Sequence, residues 1–352
     1  MRPAEQKIDL AYVTVAAELL QRSLDAQFDN DFDEAGRFKK KRVKDREYWY
    51  YAAPAGTQTQ THEKYVGPVA DPEITHRVED FKTLKDDYSA RRKLVSTLTR
   101  EARLYAPLPA IGNILEALWK AGVFRLRACL VGTIAYQNYG SVLGYRLNDF
   151  VQTGDIDIAQ FHAVSVSVED SIPPLLDVLR QVDPKFRSMP NLNDHEGTTK
   201  FATRELRVEF LTPHQGSDDR AGHPIPLPAL GGAAGEPLRF MEFLIHRPIR
   251  AVVLHKGGIP VLLPQPARYA VHKLIVAARR PAGEGKDMKD LRQAHWLARA
   301  LRETGRGHDF AEAYEDAVGS GPSWREALKQ SRQRMEALGM TEVEKTLAAG
   351  GR

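Results

Sequence analysis

The sequence predicts an α/β (α+β) protein: a mixed sheet flanked by helices, with an N-terminal helical and small β-sheet extension and a C-terminal helical bundle. Three observations carry this reading. Apolar residues at helical spacing open and close the chain. Helix and strand patterns alternate between about residues 107 and 264. The middle of that region holds Val151-Gln152-Thr153-Gly154-Asp155-Ile156-Asp157-Ile158-Ala159. On a strand, residues two apart share a face. Asp155 and Asp157 therefore project one way while Ile156 and Ile158 pack the other way. Two convergent carboxylates supply the hard oxygen ligands that a pair of Mg²⁺ ions takes while leaving positions for substrate phosphates. A solvated turn or an edge strand is the plain alternative for such a pair.

The totals bound the rest. At 352 residues the chain is long enough for two domains, or for one large domain with appendages. Hydrophobic content of 42% and charged content of 27% are those of an ordinary globular protein. No apolar run reaches the length of a membrane span, and the first residues lack a signal-peptide core, so no membrane association and a cytoplasmic location are expected. The single cysteine, Cys129, forms neither an internal disulfide nor a zinc cluster, and it reads as a buried small hydrophobe. A net charge of +4 is compatible with an anionic partner without requiring one.

The N-terminal region, residues 1–106, begins with a helix from 4 to about 29, through Ile8, Tyr12, Val15 and Leu19. A basic and aromatic block follows over residues 37–51, from Arg37-Phe38-Lys39-Lys40-Lys41-Arg42 to Tyr48-Trp49-Tyr50-Tyr51. With Lys64-Tyr65-Val66-Gly67-Pro68 it predicts two or three short strands. Cations interleaved with aromatics suit a single-stranded nucleic acid, RNA being the favoured one, phosphates meeting Lys and Arg while bases stack on rings. Aromatics packed into a core beside solvated lysines are the alternative. Residues 71 to about 104 read as one charged helix.

The central region, 107–264, starts at Pro107 and Pro109. A helix runs from Ile111 to Gly122, whose glycine suits a C-terminal cap. A strand from Phe124 to Val131 leads into Gly132-Thr133 and a second helix. A glycine at a strand-to-helix turn lets backbone N–H groups approach a phosphate, and the Thr133 hydroxyl adds a donor. After the acidic strand come a helix over 171–182 and a hairpin of Lys200–Thr203 with Leu206–Leu211. Glu209 lies between Val208 and Phe210 and so faces away from them. It suits a site shared with Asp155 and Asp157, or else an exposed sheet face. Residues 213–238 read as a long excursion loop in which His214 and His223 are lone histidines. Strands resume at 243–245, 251–254 and 261–263.

The C-terminal region, 265–352, opens with a helix over 267–280 carrying Lys273 and Arg279. From Lys286 onward three helical pieces are expected, broken at Gly305-Arg306-Gly307 and Gly319-Ser320-Gly321.

Gly132-Thr133 after a strand, Asp155-Ile156-Asp157 on the next and Val208-Glu209-Phe210 later together resemble the polymerase-β-like nucleotidyltransferase superfamily. Thr133 stands where that pattern has serine or glycine. Thr153-Gly154-Asp155-Ile156-Asp157-Ile158, Lys273-Leu274-Ile275 with Arg279, and Lys286-Asp287-Met288-Lys289-Asp290-Leu291 look similar to the bacterial nucleotidyltransferase-fold proteins near the AbiEii-type toxins. The likeness covers roughly residues 108–300. It implies a nucleotidyltransferase-type sheet and a Mg²⁺-dependent (or Mn²⁺-dependent) enzyme that moves NMP from an NTP to an acceptor hydroxyl. Asp155, Asp157 and Glu209 would be the catalytic and metal-binding residues of a two-metal mechanism. Gly132, Thr133, Lys273 and, less favourably placed on its helix, Arg279 would bind the nucleotide, and Asp287 would orient Lys273 or a base. RNA, tRNA included, is the expected acceptor, and an antitoxin-like protein is an implied partner. Nucleotidylylation of a protein or small molecule, and a non-catalytic nucleotide- or nucleic-acid-binding protein, remain the alternatives.

Overall fold

A computed structural model describes residues 7–32, 36–52, 63–81, 88–147, 153–189, 197–214, 223–280 and 285–350, with only the backbone described over 27–31. Val151 and Gln152, residues 4–6 of the first expected helix, the loop at 53–62 and residues 215–222 lie outside these. Helix α1 spans Leu10–Asp31 and starts later than its apolar pattern, because Asp9 Oδ1 accepts from the Ala11 N–H at 2.8 Å. The basic and aromatic block folds as expected into strands, β1 (Arg37–Val43), β2 (Arg46–Ala52) and β3 (Glu63–Pro68), in an antiparallel sheet.

Both faces of this small sheet are covered, so of the two readings of its rings the packed one holds. Tyr50 and Tyr65 are buried in the main core of the protein. Tyr51 packs with Phe32, Val66 and Phe81 in a separate cluster that Phe38 and Trp49 flank. The Trp49 indole N–H donates to Thr75 Oγ1 at 2.9 Å, and Lys40 Nζ stands 5.0 Å from the Trp49 ring centroid. The rings are committed to packing, while Arg37, Lys40, Arg42, Lys44 and Arg46 stay exposed.

The single helix expected over 71–104 is two, α2 (Pro72–Glu79) and α3 (Tyr88–Arg100). Asp71 caps α2 by accepting from the Glu73 and Ile74 N–H groups. Helix α4 (Pro109–Ala121) ends at Gly122, whose φ of +100° is the left-handed stop the sequence announced. The next strand is far shorter than its apolar run. The Leu126 N–H bonds to Gly122 O and the Arg127 N–H to Phe124 O, so residues 122–127 coil into turns and β4 is only Cys129–Val131.

Helix α5 (Gly132–Leu143) and strand β5 (Asp155–Ala159) follow as read. Helix α6 (His162–Ser167) was not anticipated, and α7 begins only after Pro174, at Leu175–Val182. Strand β6 (Arg187–Met189) precedes the expected hairpin of β7 (Lys200–Ala202) and β8 (Arg207–Pro213). The excursion loop is corrected in part, because β9 (Ile225–Leu227) and β10 (Ala233–Leu238) lie in the main sheet. Proline and glycine suggested a loop, but β10 makes a parallel pair with β8 only through Glu236–Leu238. Residues 243–245 are not a strand. They close α8 (Met241–Ile245), a short apolar run that periodicity alone cannot assign.

Strands β11 (Ile249–Val253) and β12 (Ile259–Leu263) form a separate hairpin. The rest is helical: α9 (Pro266–Arg279), α10 (Lys286–Glu303), α11 (Gly307–Gly319), α12 (Pro322–Ala337) and α13 (Glu342–Gly350). The break at Gly339 makes four pieces from Lys286 where three were expected.

The main sheet runs β4-β5-β8-β10-β9, with β5 parallel to β8 and β8 parallel to β10. Strand β7 shares one edge of β8 with β10, pairing its first half. Ile156, Ile158, Val208 and Phe210 are fully buried on one face of β5 and β8. At about 1.5–3 kcal/mol for each such side chain, this burial fixes which face the alternating acids must take. One core cluster continues from Ile111 in α4 to Val343 in α13, so the C-terminal helices share a core with the sheet.

Candidate active site

The acids meet on the open face of β5 and β8. Asp155 pairs with Arg207 and Asp157 with Glu209 in a parallel register, so the three carboxylates share one face. Asp155 is exposed at the strand's start, while Asp157 and Glu209 are half-buried. Lys200, across from Glu209 on β7, holds Glu209 Oε1 at 2.9 Å.

Burial, then the nearby charges of Glu209 and Asp155, push the Asp157 carboxyl up to about 6. Lys273 and Lys289 oppose that rise.

Gly132 closes the site from the other side. Val131 at the end of β4 pairs with Asp157, and the chain turns directly into α5. Gly132 has φ +65°, and a Cβ built on it would lie 1.9 Å from Asp157 Oδ2. The glycine is needed for both the backbone and the space. The N-terminus of a twelve-residue helix is thereby set against an acid, where its free N–H groups and dipole favour an anion once the acid's charge is neutralised.

Helices α9 and α10 bring cations to this turn. The Tyr269 hydroxyl donates to Gly132 O at 2.8 Å and anchors α9 there. Lys273, one turn on, is buried beside it, its Nζ 2.6 Å from Asp290 Oδ1 and 5.3 Å from the Tyr269 ring centroid. Arg280 Nε holds the other oxygen of Asp290 at 2.6 Å. Burial alone would raise the Asp290 carboxyl, but the two cations hold it below the usual range. Lys289 donates to Thr133 Oγ1 at 2.7 Å. Burial, then the charge of Lys273, lowers the Lys289 ammonium from its ordinary value, while Asp290 and Asp157 work against that.

The residues singled out in the sequence divide accordingly. Gly132, Thr133, Asp155, Asp157, Glu209 and Lys273 are brought to one place. Arg279 is not. It is exposed, its guanidinium 4.8 Å from the Phe240 ring centroid, and Arg280 takes the inward position. Asp287 turns to α12 and pairs with Arg334 at 2.6 Å, so Asp290 is the residue that orients Lys273. Two further residues join the site: Lys289, three residues past the start of α10, which the sequence pattern includes without a role, and Glu236, which does not stand out in the sequence. The latter pairs with Leu211, two residues past Glu209, and so shares the acidic face. Burial raises its carboxyl, with Glu209 adding to the rise.

Among the described residues, no three acidic, imidazole or thiol groups are already gathered at metal-binding distance. The donor set nonetheless fits a hard divalent cation. It offers three carboxylates on one face, and a positive ion would offset the burial and the like charges that raise Asp157.

The protein-family model described as Nucleotidyltransferase matches residues 110–319. Comparison with curated proteins and with solved structures gives no match. The matched stretch covers more than half of the chain and contains every residue of the site just described, and the chain belongs to this nucleotidyltransferase family.

Proposed function

We propose that the protein transfers NMP from an NTP to an acceptor hydroxyl, with Asp155, Asp157 and Glu209 as the residues that hold two divalent cations. The observation that carries this reading is the register of Asp157 with Glu209 beside a glycine that Asp157 itself packs upon. Mg²⁺ or Mn²⁺ held there would neutralise charge on the triphosphate and on the attacking and leaving oxygens. The backbone N–H groups that open α5, with Thr133 Oγ1, receive the β and γ phosphates. Lys273 and Lys289 meet the same phosphates as point charges. Asp290 and Thr133 hold these ammonium groups in place before substrate arrives. Glu209 accepts the acceptor's hydroxyl proton. The acceptor oxygen then bonds to the α-phosphorus as pyrophosphate leaves.

RNA is the acceptor we favour, held by phosphate contacts rather than by stacking. The exposed Arg37, Lys40, Arg42, Lys44 and Arg46 supply the charge. The small sheet docks on Arg125 and Asp170, through Tyr65, beyond the Cys129 end of β4. Since the acids stand at the Val131 end, an acceptor must be extended to touch both. The stretches at residues 153–158, 273–275 and 286–291 support a kinship with the AbiEii-type toxins, for which an antitoxin-like partner would follow.

The test is incubation of the full chain with labelled NTPs and Mg²⁺ or Mn²⁺ against separated RNA, protein and small-molecule pools. Label on RNA is expected. Label on protein or on a small molecule would replace the acceptor assignment, and NTP binding without transfer to any pool would refute the enzyme reading.

A further inference from the structure

Away from the acids, a cavity of about 70 Å³ opens where α1, β3 and α2 meet the 122–127 turns and β12. Its lining carries four guanidinium groups, those of Arg77, Arg125, Arg127 and Arg250, and no carboxylate. The remaining walls are mostly apolar, Phe32 and Leu262 among them.

Three of the four cations are already anchored. Arg77 bonds to Asp25 at 2.9 Å, Arg125 to Asp170 at 2.6 Å and Arg250 to Asp71 at 2.6 Å. None of these acids lines the cavity. Arg77 and Arg125 are more than nine-tenths buried as side chains. Arg127 differs, since its side chain makes no hydrogen bond or ion pair among the described residues. It is also held at φ +68°, a left-handed backbone that costs an arginine energy. A half-buried cation with five donors, aimed by a strained turn into a chamber walled by three fixed cations, is arranged for an anion.

We propose that this chamber binds a compact tetrahedral oxyanion of the phosphate class, gripped by the Arg127 fork. The size agrees with the chemistry, because about five water volumes fit in such a space, and phosphate has as many heavy atoms. The anion would sit between the N-terminal helices and the β11–β12 hairpin, tying the two together. Nothing in the chamber belongs to the transfer site, so its occupancy is independent of the proposed reaction.

The experiment is calorimetry of the full chain with inorganic phosphate, at constant ionic strength set by chloride. Wild-type protein should show saturable binding at millimolar phosphate or below. Arg127→Asn tolerates the left-handed backbone and should weaken that binding at least tenfold, with Arg127→Gly as the second variant should the first be unstable. Lys289→Ala, at the transfer site, should retain it. In that background phosphate should bind more tightly than pyrophosphate, which is too long for the chamber. Undiminished binding by both Arg127 variants, loss of binding in Lys289→Ala, tighter pyrophosphate binding, or no saturable binding to wild-type protein would each overturn the proposal.

Discussion

Asp157 Oδ2 stands directly over Gly132, so close that a Cβ there would come within 1.9 Å of it. The strand that carries the acids and the turn proposed to receive phosphate are therefore one packed unit. Gly132→Ala tests this. The left-handed φ costs roughly 1–2 kcal/mol, and the methyl group must also displace the carboxylate. We expect a modest fall in melting temperature together with loss of NMP transfer by a factor of 100 or more. A fully active Gly132→Ala enzyme would show that the turn does not form part of the site.

The Asp157 carboxyl gives a pH signature. Its value in the fold is raised from 3.8 to about 6. Between these values the native state binds more protons than the unfolded chain, so the metal-free protein loses stability as pH rises through this window. Two units correspond to about 3 kcal/mol. Asp157→Asn removes the titration, so in EDTA it should be more stable than wild-type above pH 6 and inactive at every pH. Divalent-ion affinity of the wild type should fall below pH 6, where protons compete for the carboxylate. Chemical denaturation against pH measures the first effect and calorimetry the second.

Asp290 is the counter-ion to Lys273 and Arg280 at once and is almost fully buried. Asp290→Asn leaves the buried Lys273 and the half-buried Arg280 facing a neutral amide. Breaking a buried pair in this way costs about 3–5 kcal/mol. Lys273→Met leaves Arg280 to neutralise Asp290, so it should cost less stability while damaging transfer as severely. The two quantities, denaturant midpoint and NTP turnover, should thus separate between the variants. Equal stability losses would show that Lys273 and Arg280 do not share the carboxylate.

Lys289→Ala removes the partner of Thr133 Oγ1 and a cation facing the acids. If Lys289 holds phosphates, the loss should fall on KM for the NTP, at least tenfold, with a smaller change in kcat. A reversed split would assign Lys289 to the chemical step.

The readable parts of the site were those set by strand alternation. Ile156 and Ile158 against Asp155 and Asp157, and Val208 and Phe210 against Glu209, leave one choice of face once the apolar side is buried. Gly132 was visible as a turn, though its contact with Asp157 was not. Helical parts were harder. Lys289 lies on a helix crowded with charges, and only the packing of α10 against α9 turns it toward Thr133. Glu236 was hidden in a proline- and glycine-rich stretch whose strand exists through pairing with β8. The aromatic block left two readings open because alternating rings look the same from sequence whether they face solvent or two separate cores. Here Tyr50 enters one core and Tyr51 the other.

Arg279 and Arg280 give the sharpest contrast between pattern and packing. They are neighbours at the end of α9, so their side chains leave the helix about 100° apart. Arg279 lies over Phe240 and is exposed, whereas Arg280 reaches Asp290. Arg279→Ala should therefore change transfer less than about twofold, since a surface cation–π contact is worth only about 0.5–1 kcal/mol. Arg280→Ala should release half of the Asp290 clamp, let Lys273 shift and reduce transfer tenfold or more. Arg280→Lys, which keeps the charge without the guanidinium's planar geometry, should recover only part of that loss. If Arg279→Ala proved the more damaging of the two, the inward face of α9 would have to be reassigned, and Lys273 with it.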